Sequence, residues 1–358
     1  MKNMNNIPTY TPAMESAKHM LQKVRIGWNL GNALDACGID PGSVSELTDY
    51  ETQWHNPPIC PSLFQTIHEA GYQAVRIPVT YFEHMDQDGN IDIAWLNRVK
   101  TVIDYVLDND MYCITNVHHD TGAGLQAWLK ADITTYTKVR ARFIKLWTQI
   151  AVAFKDYGEK LIFESFNEML DARSAWDYTD PEGYECINLY HQDFVDTIRH
   201  SGGCNLRRNL LLNTYGAFPM EAAAQAFRLP SDIHPGHLMV GVHFYKPDAF
   251  TSGDMQTWNS EGEKEVDAFF QRMDKYFLNK NIPVIMGECG THDIRTQDQR
   301  TLYVKSVLSY IKNRPISYFW WDDGDHMKLI DRLSGQIIYK KLQAALTDAA
   351  GKAGYEQR

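Results

Sequence analysis

The chain has no long apolar run. Across 358 residues nothing approaches the roughly eighteen unbroken apolar residues that a membrane-spanning helix requires, so helical membrane insertion is excluded. It also lacks a positive field. Lys and Arg number 35 against 45 Asp and Glu, for a net charge of −10. Nucleic acid as the main partner would need the opposite balance. Cysteine is scarce: Cys37, Cys60, Cys113, Cys186, Cys204 and Cys289 are spread at wide, irregular intervals. No CxxC pair exists, which removes the common zinc and thiol-redox patterns, and so few cysteines make no disulfide scaffold in a chain this long. Cys37 and Cys60 both fall in loops, where a pairing stays open. Linkers rich in Ser, Thr or Pro and low-complexity tracts are absent. One domain over residues 1–358 is therefore expected, with 1–20 as an N-terminal extension. That extension, MKNMNNIPTYTPAMESAKHM, lacks the apolar core of a signal peptide.

What the sequence does have is alternation. Short apolar or β-branched runs recur: VRIGWNL (24–30), AVRIPV (74–79), MYCITNVH (111–118), LIFESFN (161–167), NLLLNTY (209–215), LMVGVHFY (238–245), IPVIMGE (282–288) and ISYFWW (316–321). Near-continuous apolar runs of this length read as parallel strands buried on both faces. Between them lie segments with apolar residues three and four apart, such as 61–72, 94–110, 138–157 and 265–281, and a last one near 337–351. Eight strand–helix repeats predict an α/β fold of the (β/α)8 TIM-barrel type rather than a doubly wound sheet.

In such a barrel the chemistry lies at the C-terminal ends of the strands. Those ends are polar here: Asn29, Asn32 and Asp35 on the first, Arg76 on the second, His118-His119-Asp120 on the third and Asn167-Glu168 on the fourth. His243 and Tyr245 end the sixth, Glu288 the seventh, and Trp320-Trp321-Asp322 the eighth. Buried strands seldom end in so many polar groups without a use for them. Glu168 and Glu288 stand out, because two carboxyl groups flanking a bond are the minimum equipment for glycoside hydrolysis. One must be protonated to donate to the leaving oxygen and the other ionised to attack the anomeric carbon, so their environments must push their pKa values apart. Arg76 is the cation expected to keep Glu288 charged.

Taken together, WNLGNALDA (28–36), GYQAVRIPVTY, ITNVHHD, IFESFNE, GVHFYKP, VIMGECG and YFWWDDG resemble glycoside hydrolase family 5, in order and over nearly the whole chain. With ETQWHNP they look most like its subfamily of endo-β-1,4-glucanases and xyloglucanases. The resemblance implies Glu168 as acid/base and Glu288 as nucleophile, with no cofactor. Asn167 would bond the sugar 2-hydroxyl, Tyr245 would sit beside the nucleophile with His243 near it, and His118 and His119 would line the −1 subsite. Asn32 and Asp35 would face the neighbouring subsite, and Trp321 would be the sugar platform, with Trp320 as the alternative. Met169 after Glu168 and Cys289 after Glu288 depart from the family's usual Pro and aromatic; neither supplies catalytic chemistry.

The resemblance makes the expected partner a β-glucan, cleaved by a secreted monomer whose signal peptide has been removed. Mannan hydrolysis and a glycan-binding barrel without activity are the alternatives. Aromatics are plentiful, with 9 Trp, 19 Tyr and 15 Phe. Most belong in the core, but Trp54, Trp128, Trp176 and Trp258 are candidates for outer sugar subsites. A zinc site on His118-His119-Asp120 is the metal alternative, set aside because neighbouring strand residues face opposite ways and no HExxH partner exists. Asp86–Asn90 resembles the start of a calcium loop, but Ile91 stands where Gly is needed, so a turn is expected.

Overall fold

A computed structural model describes residues 14–40, 42 and 44–348 of the chain. Eight parallel strands pair in sequence order and close into a barrel. They are β1 (Ile26–Leu30), β2 (Ala74–Ile77), β3 (Tyr112–Asn116), β4 (Leu161–Glu164), β5 (Leu210–Asn213), β6 (Leu238–Phe244), β7 (Val284–Cys289) and β8 (Ile316–Asp322). β1 closes on β8 with Trp28 opposite Trp320 and Asn29 opposite Trp321. This is the (β/α)8 barrel expected from the alternation. Apart from Trp321, every strand residue is buried, which is why the runs read as continuous apolar segments.

Alternation of side chains along a strand decides what fills the barrel. Ala74, Ile114, Ile162, Leu211, Met239, Ile285 and Phe319 form one apolar cluster with Ala17, Met20, Leu21 and Val24. The last four come from helix Ala17–Lys23 and its C-cap, so that helix plugs the bottom of the barrel. Of the N-terminal stretch 1–20, Ala17 and Met20 thus pack into the barrel's core, while Lys18 and His19 face outward; residues 1–13 lie outside the described residues. Two residues further along β2, β3, β4 and β5 the inward positions turn polar, to Arg76, Asn116, Glu164 and Asn213, and that layer carries the site.

The outer helices pack their stripes on the strands' outer faces. In helix Ile93–Asp108 the buried residues are Trp95, Leu96, Val99, Val102, Ile103 and Val106, at the expected spacing. Two helices begin five residues before the apolar pattern does, at Ile133 and Ser260, because Asp132 and Asn259 cap free N–H groups there. The last helix runs Lys340–Asp348. No helix among the described residues is long and apolar enough to cross a membrane. All six cysteines are free. Cys37 and Cys60 therefore do not pair: Cys37 accepts a bond from Gln126 and Cys60 contacts Ser62.

One glycine shows how closely the barrel interior is filled. A Cβ on Gly241 would lie 1.7 Å from Asn213 Oδ1, the amide on the neighbouring strand. Gly241→Ala is expected to lower the unfolding free energy by about 1–3 kcal/mol through overpacking. Thermal denaturation reads this directly, and an unchanged Tm would mean that Asn213 can move aside.

Candidate active site

The inward polar layer holds Asn29 (β1), Arg76 (β2), Asn116 (β3), Glu164 (β4), Asn213 (β5), His243 (β6) and Glu288 (β7). Asn29 stands opposite Arg76, Asn116 opposite Glu164, and His243 opposite Glu288. The last pairing depends on a bulge. Between Val242/Met286 and His243/Glu288 the register shifts by one residue, and Gly287 is the extra one. Without it, strict alternation would turn Glu288 outward; bulges next to active sites commonly re-aim a side chain in this way.

Arg76 organises the layer. It is fully buried and all five of its N–H groups are engaged. Nε and Nη2 form a fork on Glu164 at 2.6 and 2.8 Å. Nη1 bonds Glu288 Oε1 at 2.7 Å and Asn29 Oδ1 at 3.0 Å, and Nη2 also bonds Asn167 Oδ1 at 2.8 Å. The expectation that Arg76 serves Glu288 is thus corrected in part: it touches Glu288 once, while its bidentate partner is Glu164. Glu164 Oε1 further accepts from Asn213 Nδ2 at 2.7 Å.

Glu168 lies four residues beyond the end of β4, not at its last position. Past Glu164 the backbone turns over the mouth, Ser165 N bonding Leu211 O and Asn167 N bonding Val117 O. His243 Nδ1 is 2.7 Å from Glu168 Oε1 and 3.5 Å from Glu288 Oε2. Tyr245 Oη donates to Glu288 Oε2 at 3.0 Å. Glu168, His243 and Glu288 each place a polar atom within 4.8 Å of the others. The sequence-predicted pair of carboxyl groups, with Arg76, Asn167, His243 and Tyr245, therefore converges on one spot.

Burial sets the protonation of these groups. It pushes Glu168 up to about 7, against the pull of Arg76 and His119. Glu288 is also raised by burial, with His243 and Arg76 opposing. Burial would raise Glu164 too, but the charge and hydrogen bonds of Arg76 outweigh it and hold that carboxyl below its ordinary value. Burial lowers His119 and His243 to about 4 and holds His118 well below its ordinary value, so all three are neutral near pH 7.

Aromatic walls flank the carboxyl groups. On one side the Trp321 ring lies parallel to His118 at 5.9 Å, resting where a Cβ on Gly31 would collide with it. His119 meets His118 edge-on, and Trp54 follows at 5.3 Å from His119. On the other side a cavity of about 230 Å³ opens past Glu168, lined by Trp176, Phe218, His243, Tyr245 and Lys246. Trp176 stands 46% exposed on a loop held by Asp171, which accepts bonds from Arg173, Ala175 and Thr179.

Several candidates lie elsewhere. Trp320 points outward, fully buried, with its Nε1 donating to Met327 O, so only Trp321 can face sugar. Trp128 donates to Asp120 and carries Arg142 over its ring. Trp258 packs on Phe250 and Tyr303. Both serve loop packing. Asp35 is fully buried and ties the turn by accepting from Asn32 N and Ala33 N, so it reaches the cleft only through His119, 3.8 Å away. Asn32 takes the left-handed turn conformation at φ 57° with its side chain half-buried. Asp120 bonds Tyr81 N and Trp128 instead of joining His118 and His119, so the zinc triplet is not assembled. Asp86–Asn90 is the expected turn, Asp86 accepting from Asn90. Glu164, Asn116 and Asn213 were missed; the signal was a polar residue two positions beyond an inward apolar one, inside an otherwise apolar run.

A closed parallel barrel with two glutamates converging at its C-terminal mouth, between aromatic walls, defines a barrel glycoside hydrolase. The model of the cellulase family, glycosyl hydrolase family 5, matches residues 38–327, and the chain belongs to that family. It is 32% identical to Endoglucanase A of Clostridium longisporum, over 96% of this chain and 67% of that protein. It is 33% identical to the Cellulase/esterase CelE of Acetivibrio thermocellus over 94% of its own length, but spans only 41% of that larger protein. Among solved structures, PbGH5A of Prevotella bryantii B14 superposes with a TM-score of 0.88 at 38% identity, covering 95% of this chain and all of that one; a mutant of it was crystallised with a xyloglucan tetradecasaccharide. The protein is a glycoside hydrolase of the cellulase type.

Proposed function

We propose that the protein is a retaining endo-β-1,4-glucanase that cleaves internal bonds of cellulose, mixed-linkage β-glucan or xyloglucan by double displacement. The observation that carries the mechanism is the approach of the Glu168 and Glu288 carboxyl oxygens to within 4.8 Å. An inverting enzyme must fit a water between its carboxyl groups and separates them by about 6.5–9.5 Å. Glu288, held by Arg76 and Tyr245, attacks the anomeric carbon. Glu168, kept protonated by burial, donates to the leaving oxygen and then takes a proton from the water that hydrolyses the glycosyl-enzyme. Asn167, its amide oxygen fixed by Arg76, has its NH2 group left for the 2-hydroxyl. The names of the relatives and the xyloglucan tetradecasaccharide bound to the PbGH5A mutant support a β-1,4-glucan backbone. A polymeric β-glucan substrate places the proposed action outside the cell. Proton NMR of the first product tests the mechanism: the β-anomer is expected to form first, and initial α-anomer would sink double displacement.

An endo enzyme must hold sugar on both sides of the cut. Trp321, His118, His119 and Trp54 offer one wall, and the Trp176 cavity beside the proton donor offers the leaving-group side. Trp176→Ala is expected to raise KM for polysaccharide about tenfold, the loss of one stacking contact of roughly 1.5 kcal/mol. An aryl cellobioside, which puts only its phenol there, should be affected far less. Equal loss on both substrates would remove Trp176 from that subsite.

A further inference from the structure

We propose that Glu164 is a positioning residue that absorbs the charge of Arg76, so that the guanidinium can hold Glu288 and Asn167 in place without drawing the proton donor Glu168 into its ionised form. The inference rests on the acid/base reading of Glu168. Its starting point is a conflict. Arg76 is the one cation in the layer and sits against Glu288 at 2.7 Å. A full positive charge within about 4–6 Å of a buried carboxyl lowers its pKa by about 1–3 units. That serves the nucleophile and works against a donor that must stay protonated, because Arg76 also pulls the Glu168 carboxyl down.

Glu164 resolves the conflict by geometry. It is 1% exposed, cannot reach the cleft, and meets Arg76 as a planar fork at 2.6 and 2.8 Å. A bidentate pair fixes the plane of the guanidinium as well as its place. With that plane set, Nη1 falls on Glu288 and Nη2 on Asn167. Asn213 and Asn116, from β5 and β3, bond the same Glu164 oxygen at 2.7 and 3.4 Å and keep the carboxylate ionised. Glu164 thereby offsets part of the Arg76 charge toward the mouth. The other groups facing Glu168 are His243, His119, Tyr245 and Glu288, with Asp177, Lys246 and Asp248 on the wall of the cavity beyond it. His243, His119 and Tyr245 are neutral near pH 7, so Glu164 is the fixed negative charge within the inward layer that offsets Arg76 whatever the state of the nucleophile. Burial is the main cause of the raised Glu168 pKa; among the charges Arg76 lowers it most, and Glu164 works against Arg76 by raising it.

The test reads the Glu168 carboxyl directly. Protein labelled with 13C at glutamate Cδ is titrated by NMR, the Glu168 signal being assigned by its loss in Glu168→Gln. In the wild type the midpoint should lie well above the ordinary carboxylate range. In Glu164→Gln, which keeps the shape and removes the charge, it should fall by about one unit or more, and the basic limb of the pH profile of kcat/KM should move the same way. Glu164→Asp keeps the charge and should leave the midpoint near the wild-type value; it also serves if the Gln variant does not fold. An unmoved midpoint in folded Glu164→Gln overturns the proposal, as does an ordinary wild-type midpoint, or a drop of a unit in Glu164→Asp. A purely structural part would lower Tm in both variants and leave the midpoint in place. If the midpoint shifts but no glucan is cleaved, the functional reading fails and the role of Glu164 in holding that proton stands.

Discussion

Glu288→Gln is expected to reduce β-glucan hydrolysis by at least about a thousandfold, equivalent to ~4 kcal/mol of lost transition-state stabilisation. The substitution keeps shape and hydrogen bonding. A Gln oxygen can still accept from Arg76 Nη1 or from Tyr245 Oη, the two donors that hold the carboxylate now. What it loses is the anionic oxygen that attacks carbon. Arg76 keeps its buried counter-charge in Glu164, so no unpaired cation is left in the barrel, and Tm should change by only a few degrees. Reducing-sugar release from carboxymethyl-cellulose, barley β-glucan and tamarind xyloglucan, with a melting curve on the same preparation, separates loss of chemistry from loss of fold. Retained activity in the variant would show that Glu288 is not the nucleophile. A wild type inert on all three would show that the substrate class is wrong.

How much of this was legible in the sequence depends on which interaction placed each residue. The barrel was readable because parallel strands buried on both faces leave eight apolar runs. The two glutamates were readable because an acidic residue at the end of such a run is conspicuous. The Trp320/Trp321 ambiguity could have been settled by parity. Phe319 lies inside the barrel, Trp321 is two residues on and shares that face, and Trp320 must point out. The same count from Ile162 leads to Glu164 and from Leu211 to Asn213. Parity would have failed at Glu288, because Gly287 adds a residue to β7 that no local pattern announces.

The other misses are long-range. Trp128 and Trp258 occupy loops like Trp54 and Trp176 do, and nothing local separates them. Only the fold brings Asp120 under Trp128, and Phe250 and Tyr303 against Trp258. Asp35 shows the converse. An Asp three residues after Asn32 is well placed to bond the backbone of its own turn, and that local use folds both its oxygens into the buried turn, away from any sugar. The Arg76 pairing was half legible for a similar reason. A cation at the mouth implies a carboxylate, but which of three it grips bidentately is decided by the inward register of β2 and β4.

Glu168→Gln should make the protein more stable while removing its function, and the gain should depend on pH. Burial raises the folded carboxyl from its ordinary 4.5 to about 7. The folded state then holds this proton more tightly than the unfolded state does, so stability contributed by Glu168 falls as pH rises between those two values. Below about pH 4.5 both states are protonated and the group is neutral in the balance. Above about pH 7 the folded protein carries a largely desolvated anion, at a cost on the order of 3 kcal/mol. Gln mimics the protonated form at every pH. Wild type and Glu168→Gln should therefore melt together near pH 4, with the variant several degrees higher near pH 8. Every other titrating group is common to both proteins, so the gap reads Glu168 together with its coupling to Glu288, His119 and Tyr245. Hydrolysis of polysaccharide, whose leaving alcohol needs a proton, should collapse in the variant. Glycosylation by an aryl cellobioside with an acidic phenol should survive, because that leaving group departs unaided. A gap of equal size at both pH values would mean that the substitution stabilises by packing. No gap at either would mean that Glu168 titrates as an ordinary carboxyl, and the proton donor would have to be sought elsewhere in the mouth.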